Sequence, residues 1–477
     1  MPRTKIVCTI GPATNTSEKM RALMQAGMDV ARINFSHGSR DDHRETIAKL
    51  RDVAREERCL IGIVADLQGP KLRVGDIDDE PLELREGETV TLTTAPEAGA
   101  DGEIPVPHPQ LLRDLNAGQT ILLNDGNLAL KVERHTGVGR LQARVVTGGR
   151  LTSHKGINVP GAKLTFSTLT DKDKEDAAFA LEQGVDYFAL SFVRRAADVR
   201  ELRHYLTSLR ARAPSIIAKI EKPEALSDFD AILAQADGIM VARGDLGVET
   251  PAEEVPFHQK HLIKSCNRTG KPVITATQML QSMMEHPRPT RAEASDIANA
   301  ILDGTDAVML SGETAVGKYP IKATETMAKI CANAEAHLPR TRLVECAQDC
   351  REVITEAISS SAVAIADEVD AHAIITATMS GTTARMVARH RPSVPIVAVT
   401  PNERTLYRLA LVWGVVPVEV DEFKTTDEMV AMMIRAARQE GLVAWGDRTV
   451  LTAGIPFGQG KKTNMLKVHV IGESEEV

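Results

Sequence analysis

Eight short apolar runs, interleaved with amphipathic helical stretches, constrain this chain more than any other feature. They lie at 5–10, 30–35, 60–66, 187–192, 215–221, 237–243, 272–277 and 307–311. Helical spacing of apolar residues recurs at 16–27, 41–57, 196–209, 256–268 and 321–336. Strands joined through helices pair in parallel, and eight such units match a closed (β/α)8 barrel. An open doubly wound sheet does not need eight. Aromatic residues are only 3% of the 477, so Ala, Val, Ile, Leu and Met must build the cores.

The third strand is not followed by its helix. Between 71 and about 160 the pattern changes to short alternating runs, among them Glu83-Leu84, Thr89–Leu92, Leu128–Val132 and Leu141–Val146, punctuated by Asn124-Asp125-Gly126-Asn127. This reads as an all-β insertion with tight turns. It is entered at Gly69-Pro70 and left near Asn158–Gly161, both hinge-like. Placed after a barrel strand, it sits over the C-terminal mouth as a lid. From about 338 a second α/β unit begins, with helices at 351–367, 383–390, 403–411 and 425–440. Its strands fall at 373–378, 395–400, 415–419, 448–453 and 465–471. The expected division is therefore barrel at 1–70 and 159–337, lid at 71–158 and a C-terminal α/β domain at 338–477.

Composition removes several function classes. Formal net charge is -8 with no long basic tract, which argues against nucleic acid as partner. No run reaches 18 apolar residues, so no membrane span is expected, and the start of the chain reads as a strand rather than a signal peptide. Cys8, Cys59, Cys266, Cys331, Cys346 and Cys350 form no CxxC pair. Reduced, mostly buried thiols in a cytoplasmic protein are expected.

Charge gathers where the predicted strands end. Lys219 and Glu221 are two apart on one strand and point the same way, and Asp245 ends the next. Adjacent strands let Glu221 and Asp245 share one hard divalent cation, magnesium or manganese. Singly, each reads more readily as a strand-end surface charge, and it is all three at successive strand ends, with Arg243-Gly244 before Asp245, that shift the balance. Gly244 lets backbone approach an anion. Arg32, Asn34 and Ser36 alternate at the second strand end, followed by His37-Gly38, and a buried Arg32 needs a partner. Asp66 and Arg73 flank the entry to the insertion and are placed to meet Arg32 and Lys219 across the mouth. Thr277 ends the seventh strand, and Glu313 follows the eighth. In the C-terminal unit, Thr378, Ser380, Gly381, Thr382 and Thr383 lie between a strand and a helix. That turn suits a phosphate or simple helix capping.

With these residues in place, the chain resembles the pyruvate kinase family along almost its whole length. The resemblance rests on Thr9–Pro12, Ala31–Gly38, Ile216–Glu221, Met240–Glu249, Ala276–Leu280 and Leu310–Ala315. The absent N-terminal helical segment of animal members makes it similar to a bacterial enzyme. The resemblance implies transfer of the phosphoryl group of phosphoenolpyruvate to ADP, giving pyruvate and ATP. It implies that Glu221 and Asp245 bind the divalent metal bridging substrate and protein. The backbone of Ala242, Arg243 and Gly244, with Thr277, would cradle the substrate carboxylate. Lys219 would face the transferring phosphoryl group and the enolate oxygen, and Arg32 and Arg73 would hold the phosphate. Asn34, His37, Arg73 and Lys172 would face the nucleotide. Asn34, Ser36, Asp66 and the backbone of Leu67 would form the monovalent-cation pocket. Thr277, directly or through a water, is preferred over Lys219 as proton donor. A homotetramer is also implied.

One departure bears on that pocket. Potassium-dependent members typically carry Asp-Thr-Lys-Gly-Pro-Glu, whereas residues 66–71 here are Asp-Leu-Gln-Gly-Pro-Lys. The Lys71 ammonium stands where a glutamate would be and can supply the charge of a bound potassium. Activity without potassium is therefore expected, as in the potassium-independent branch. The C-terminal turn also departs from the Lys-Ser-Gly-Arg-Ser-like stretch of fructose-bisphosphate-binding members. With Lys461 and Lys462 nearby, a monophosphate activator such as AMP or a sugar phosphate is the expectation. The rival readings are a metal-dependent aldolase or phosphoenolpyruvate mutase type of barrel, and a catalytically inactive sensor of phosphorylated metabolites. The first leaves the insertion and the C-terminal unit unexplained.

Overall fold

The computed structural model describes residues 2–77, 81–95, 103–162, 165, 167–209, 214–338, 353–456 and 462–472. Cys346, Cys350, Lys461 and the first residues of the 351–367 helix lie outside them. The eight apolar runs form the strands of one closed parallel barrel. They are β1 (Lys5–Thr9), β2 (Val30–Asn34), β3 (Gly62–Asp66), β4 (Tyr187–Leu190), β5 (Ser215–Ile220), β6 (Gly238–Ala242), β7 (Val273–Ala276) and β8 (Ala307–Leu310). Each pairs with its sequence neighbour, and β1 closes on β8 through Cys8 opposite Leu310.

The period of two sets what faces the lumen. Val7, Val30, Val64, Tyr187, Ile217, Met240, Ile274 and Ala307 form one buried cluster that fills the barrel. The alternate residues, such as Ile6, Ile63, Phe188 and Ile216, pack outward against the helices. Going up the inward rows, apolar gives way to polar: Val30 to Arg32 to Asn34, Val64 to Asp66, and Ile217 to Lys219 to Glu221. Side chains two apart share a face, so these rows deliver charge to the C-terminal mouth. Several of the surrounding helices begin on side-chain caps, from Thr16, Ser39, Thr170 and Thr290, while those at Val255–Thr269 and Pro320–Glu335 do not. The helix Arg40–Glu56 starts from a Ser39/Asp42 capping box and buries Ile47, Leu50, Val53 and Ala54.

The insertion has its own apolar core, including Leu92, Ile104, Ile121, Leu130, Leu141 and Leu151. Six strands form its main sheet, in the order 157–158, 120–123, 128–137, 140–147, 89–93 and 103–105. The predicted turn at 124–127 joins two of them, with positive φ at Asn124, Asp125 and Gly126. The insertion is not purely β, because Pro109–Asp114 forms a helix. Six residues are too few for a helical period to appear in the sequence.

The C-terminal unit is a five-stranded sheet of β9 (Ala373–Ala377), β10 (Ile396–Thr400), β11 (Val415–Glu419), β12 (Arg448–Ala453) and β13 (Met465–Val470). The order is β11-β10-β9-β12-β13, parallel except for β13. This unit closes the bottom of the barrel. Ala410 and Leu411 join the lumen cluster, and the Tyr187 hydroxyl donates to the Arg408 carbonyl at 2.6 Å. Arg391 enters beside them. Its guanidinium bonds Asp306 (3.1 Å), Asn267 Oδ1 (3.0 Å) and the Gly304 carbonyl (2.6 Å), and lies over the Trp413 ring. Both members of the Arg391–Asp306 pair are buried. Removing one partner of such a pair strands the other charge, so Arg391→Ala is expected to cost about 3–5 kcal/mol. A fall in melting temperature checks this.

Candidate active site

The mouth gathers five charged residues from four strands. Asp66, at the end of β3, is the hub. Its Oδ2 accepts from Arg32 Nε at 2.6 Å, and its Oδ1 lies 3.2 Å from Lys219 Nζ. Lys219 also lies 2.9 Å from Glu221 Oε1 and donates to Ser191 Oγ at 2.7 Å. Ser191 Oγ in turn donates to the Leu67 carbonyl at 2.8 Å. Arg32 is braced from the other side by Thr9 Oγ1 at 3.0 Å. Glu221 Oε2 accepts the Phe192 N–H at 2.7 Å.

Electrostatics divides the cluster into two ends. Burial pushes the Asp66 carboxyl up, but Lys219 and Arg32 outweigh it and hold it below the ordinary aspartate value. Burial pulls the Lys219 ammonium down, yet Asp66 and Glu221 overcome this and raise it above the ordinary lysine value. Glu221 behaves oppositely. Burial raises it first, and the charge of Asp245 raises it further against the pull of Lys219. Two cations (Arg32, Lys219) face three carboxylates (Asp66, Glu221, Asp245), so one negative charge remains, on the Glu221–Asp245 side.

That remainder makes the donor set fit a divalent cation. Asp245 is half-buried on the first turn of the helix Arg243–Glu249, and its carboxylate has no hydrogen bond or ion pair among the described residues. Two hard oxygen ligands with room for water and substrate suit magnesium or manganese. No cluster of three or more His, Cys, Asp or Glu suited to a metal occurs among the described residues, so substrate and water would have to complete the shell.

Backbone conformation builds the rest of the rim. Phe192 and Thr277, each just past a strand, have φ of 55° and 68°, a costly region for residues with a Cβ. Thr277 Oγ1 accepts the Gly244 N–H at 2.7 Å and donates to the Ala276 carbonyl at 2.6 Å. A Cβ on residue 244 would stand 3.3 Å from that Oγ1, so glycine lets the Ala242–Gly244 turn close on β7. The Arg243 side chain points away from the cleft, onto Asp296 (2.7 Å) and the Thr277 carbonyl (2.9 Å). Only its backbone can serve a ligand there.

Other predicted residues are placed less centrally. Asn34 Oδ1 accepts the Ser36 N–H at 3.2 Å, and His37 is exposed beside them. Lys172 Nζ bonds the Phe35 carbonyl (2.8 Å) and Asp176 (2.5 Å). Arg73 is not brought to Asp66. Its Nη1 donates instead to the His154 carbonyl of the insertion at 2.7 Å. Lys71 is exposed, and the cations paired with Asp66 are Arg32 and Lys219. Leu67 is buried and contributes its carbonyl. Glu313 is buried as a backbone cap, accepting from Leu280 N (3.0 Å) and Ser311 N (2.8 Å).

Two clefts flank the entry to the insertion. The one of about 50 Å³ includes Lys71, Asp125, Asn158, Phe192, Lys222 and Asp245. The larger, about 560 Å³, lies on the Pro107–Leu111 side with Lys71, Lys172 and Lys174, and none of Glu221, Asp245 or Lys219 lines it. Of the five charged mouth residues, Asp245 alone lines the smaller cleft.

In the C-terminal unit the hydroxyl-rich turn is closed on itself. Thr378 Oγ1 accepts the Gly381 N–H at 3.0 Å, Ser380 and Thr382 hydroxyls meet at 3.0 Å, and Thr383 meets Thr463 at 2.8 Å. Sequence reading missed Arg385, whose guanidinium reaches the Ser380 carbonyl and Thr382 Oγ1, each at 3.2 Å. Helical spacing placed it one turn below the loop, which was the available signal.

Residues 1–324 match the family description "Pyruvate kinase, barrel domain", and residues 356–469 match "Pyruvate kinase, alpha/beta domain". The chain belongs to the pyruvate kinase family. A pyruvate kinase of Geobacillus stearothermophilus is 49% identical over 473 residues, 99% of this chain and 81% of that protein. Pyruvate kinase 2 of Synechocystis is 47% identical over 472 residues, 98% of this chain and 79% of that one. In structure, the chain is similar to a crystal structure of a pyruvate kinase from Cryptosporidium parvum, with a TM-score of 0.89 and 37% identity. That match covers 98% of this chain and 96% of the other. The chain is therefore an enzyme, a glycolytic kinase of a family that uses magnesium or manganese, and family membership brings phosphoenolpyruvate, ADP, ATP and pyruvate as ligands. No helix among the described residues is long and apolar enough to cross a membrane.

Proposed function

We propose that this chain transfers the phosphoryl group of phosphoenolpyruvate to ADP at the Asp66–Lys219–Glu221–Asp245 cluster. The observation that carries the reading is the split charge of that cluster. Its cationic end, Arg32 and Lys219, meets the transferring phosphoryl group. Its anionic end, Glu221 and Asp245, holds a divalent cation. That cation supplies Lewis acidity toward the substrate's oxygens. The backbone of Ala242, Arg243 and Gly244, with Thr277, receives the substrate carboxylate. Lys219 stabilises negative charge on the phosphoryl and enolate oxygens, held in place by Asp66 and Ser191. Thr277 delivers the proton through a water once its hydroxyl turns from the Ala276 carbonyl. Asn34, His37 and Lys172 face the nucleotide, and Arg73 joins them when it leaves His154.

The chain works as barrel (1–70, 159–337), lid (71–158) and regulatory domain (338–477), as a cytoplasmic homotetramer. A monophosphate such as AMP or a sugar phosphate binds at Thr378, Ser380, Gly381, Thr382 and Thr383. Arg385 and Lys462 offer positive charge for it. Turnover does not require potassium. Lys71, exposed on a flexible stem at the entry to the lid, brings its ammonium to the Asn34, Ser36, Asp66 and Leu67 pocket when substrate binds. The test is pyruvate formation from phosphoenolpyruvate, ADP and magnesium in potassium- and sodium-free buffer. Full activity is expected there, with a lower KM on adding AMP or a sugar phosphate. Activity only after adding potassium would refute the Lys71 substitution.

A further inference from the structure

Among the described residues, a part-buried polar contact that none of the roles above uses joins the insertion to the barrel mouth. Asn158, on the insertion's edge strand, donates from Nδ2 to Glu249 Oε1 at 2.7 Å. Glu249 ends the helix that begins at Arg243, and the same oxygen is held by Lys222 Nζ. The Glu249 side chain is 1% exposed and that of Lys222 is 12%. A carboxylate this deep needs all its partners, and one comes from the insertion. Next to this contact, the turn at Gly126 also approaches Val248, which a Cβ on residue 126 would meet at 3.6 Å.

The contact leads directly to the charged cluster. Lys222 lies over the Phe192 ring, 5.7 Å from its centroid. The Phe192 peptide, held at φ 55°, gives its N–H to Glu221 Oε2. Asn158, Lys222, Phe192 and Asp245 line one cleft. If the insertion moves off, Glu249 loses its amide donor and its cover and keeps only Lys222, the residue that also lies over the Phe192 ring.

We propose that Asn158, Glu249 and Lys222 form a clasp that holds the insertion down on the mouth during turnover. Asn158 and Glu249 are then positioning residues, acting on phosphoryl transfer through lid closure and the Phe192–Glu221 bond. The proposal rests on the phosphoenolpyruvate–ADP reading of the site. Closure that depends on the clasp taxes substrate affinity by the fraction of molecules left open. Asn158→Asp, which sets two carboxylates against each other, is expected to raise the KM for phosphoenolpyruvate about tenfold.

The experiment measures KM and kcat alongside lid–barrel distance, by energy transfer between dyes on the insertion and on an outer barrel helix. Asn158→Ala serves as the milder variant. Asn158→Asp with Glu249→Gln restores a donor–acceptor pair in the opposite sense. The clasp predicts a raised KM and a longer distance in both single variants, and recovery of both in the double variant. An unchanged KM and distance, a raised KM at unchanged distance, or no recovery in the double variant each overturns it. An unmutated enzyme that makes no pyruvate would instead refute the reading on which the proposal rests.

Discussion

Lys219→Met should lower kcat about a thousandfold while the KM for phosphoenolpyruvate changes by less than about threefold. The asymmetry follows from what the ammonium touches. In the resting site its charge is already met by Asp66 and Glu221 at 3.2 and 2.9 Å, so a ground-state substrate gains little from it. Charge that develops on the leaving enolate during transfer is new, and only interactions stronger in the transition state raise kcat. Methionine keeps the length of the side chain without the charge. The variant should also be less stable, because Asp66 and Glu221 remain buried. Asp66 keeps Arg32 at 2.6 Å, and Glu221 keeps only the Phe192 N–H. Steady-state kinetics with a thermal melt separates the two effects. A kcat within about tenfold of the parent enzyme would remove Lys219 from the chemistry.

The sequence showed the barrel because its signal is repeated. Eight apolar runs at the right spacing leave few alternatives, and the change from Val or Ile to a charge two residues on, as at Val64–Asp66 and Ile217–Lys219–Glu221, marks where each lumen row meets solvent. The same alternation is why these side chains converge in the structure. Other parts of the site carry no such pattern. Ser191 and Thr9 are ordinary hydroxyls in apolar surroundings, and only the fold shows that they position Lys219 and Arg32. Positive φ at Phe192 and Thr277 is imposed by tertiary contacts on residues that do not favour it. Arg73 looks like a mouth residue by position, yet the carbonyl of His154, distant in sequence, captures it. The Asn158–Glu249 bond spans 91 residues, and the Arg391–Asp306 pair joins two domains. Pairings of this range depend on docking, which local patterns do not encode.

Asp245→Asn tests the anionic end, and it makes opposite predictions with and without metal. With magnesium, turnover should fall about 10²- to 10³-fold, because a charged oxygen ligand is gone while Glu221 stays in place. Without metal, the variant should be the more stable protein at neutral pH. The reason is the sign of the Glu221 shift. Its carboxyl is raised in the fold above the ordinary 4.5, first by burial and then by Asp245. A group raised in this way stabilises the fold below its unfolded value, and that stability is lost as pH rises through the folded value. Metal-free parent enzyme should therefore lose stability across that window, and Asp245→Asn should narrow it by removing the like charge. Melting temperatures in chelator from pH 4 to 7 read the window, and the rise on adding magnesium reads the metal. The parent should show a large magnesium-dependent rise and the variant a small one. Equal rises in the two proteins would place the cation away from Asp245, and an unchanged metal-free pH profile would mean that its charge does not act on Glu221.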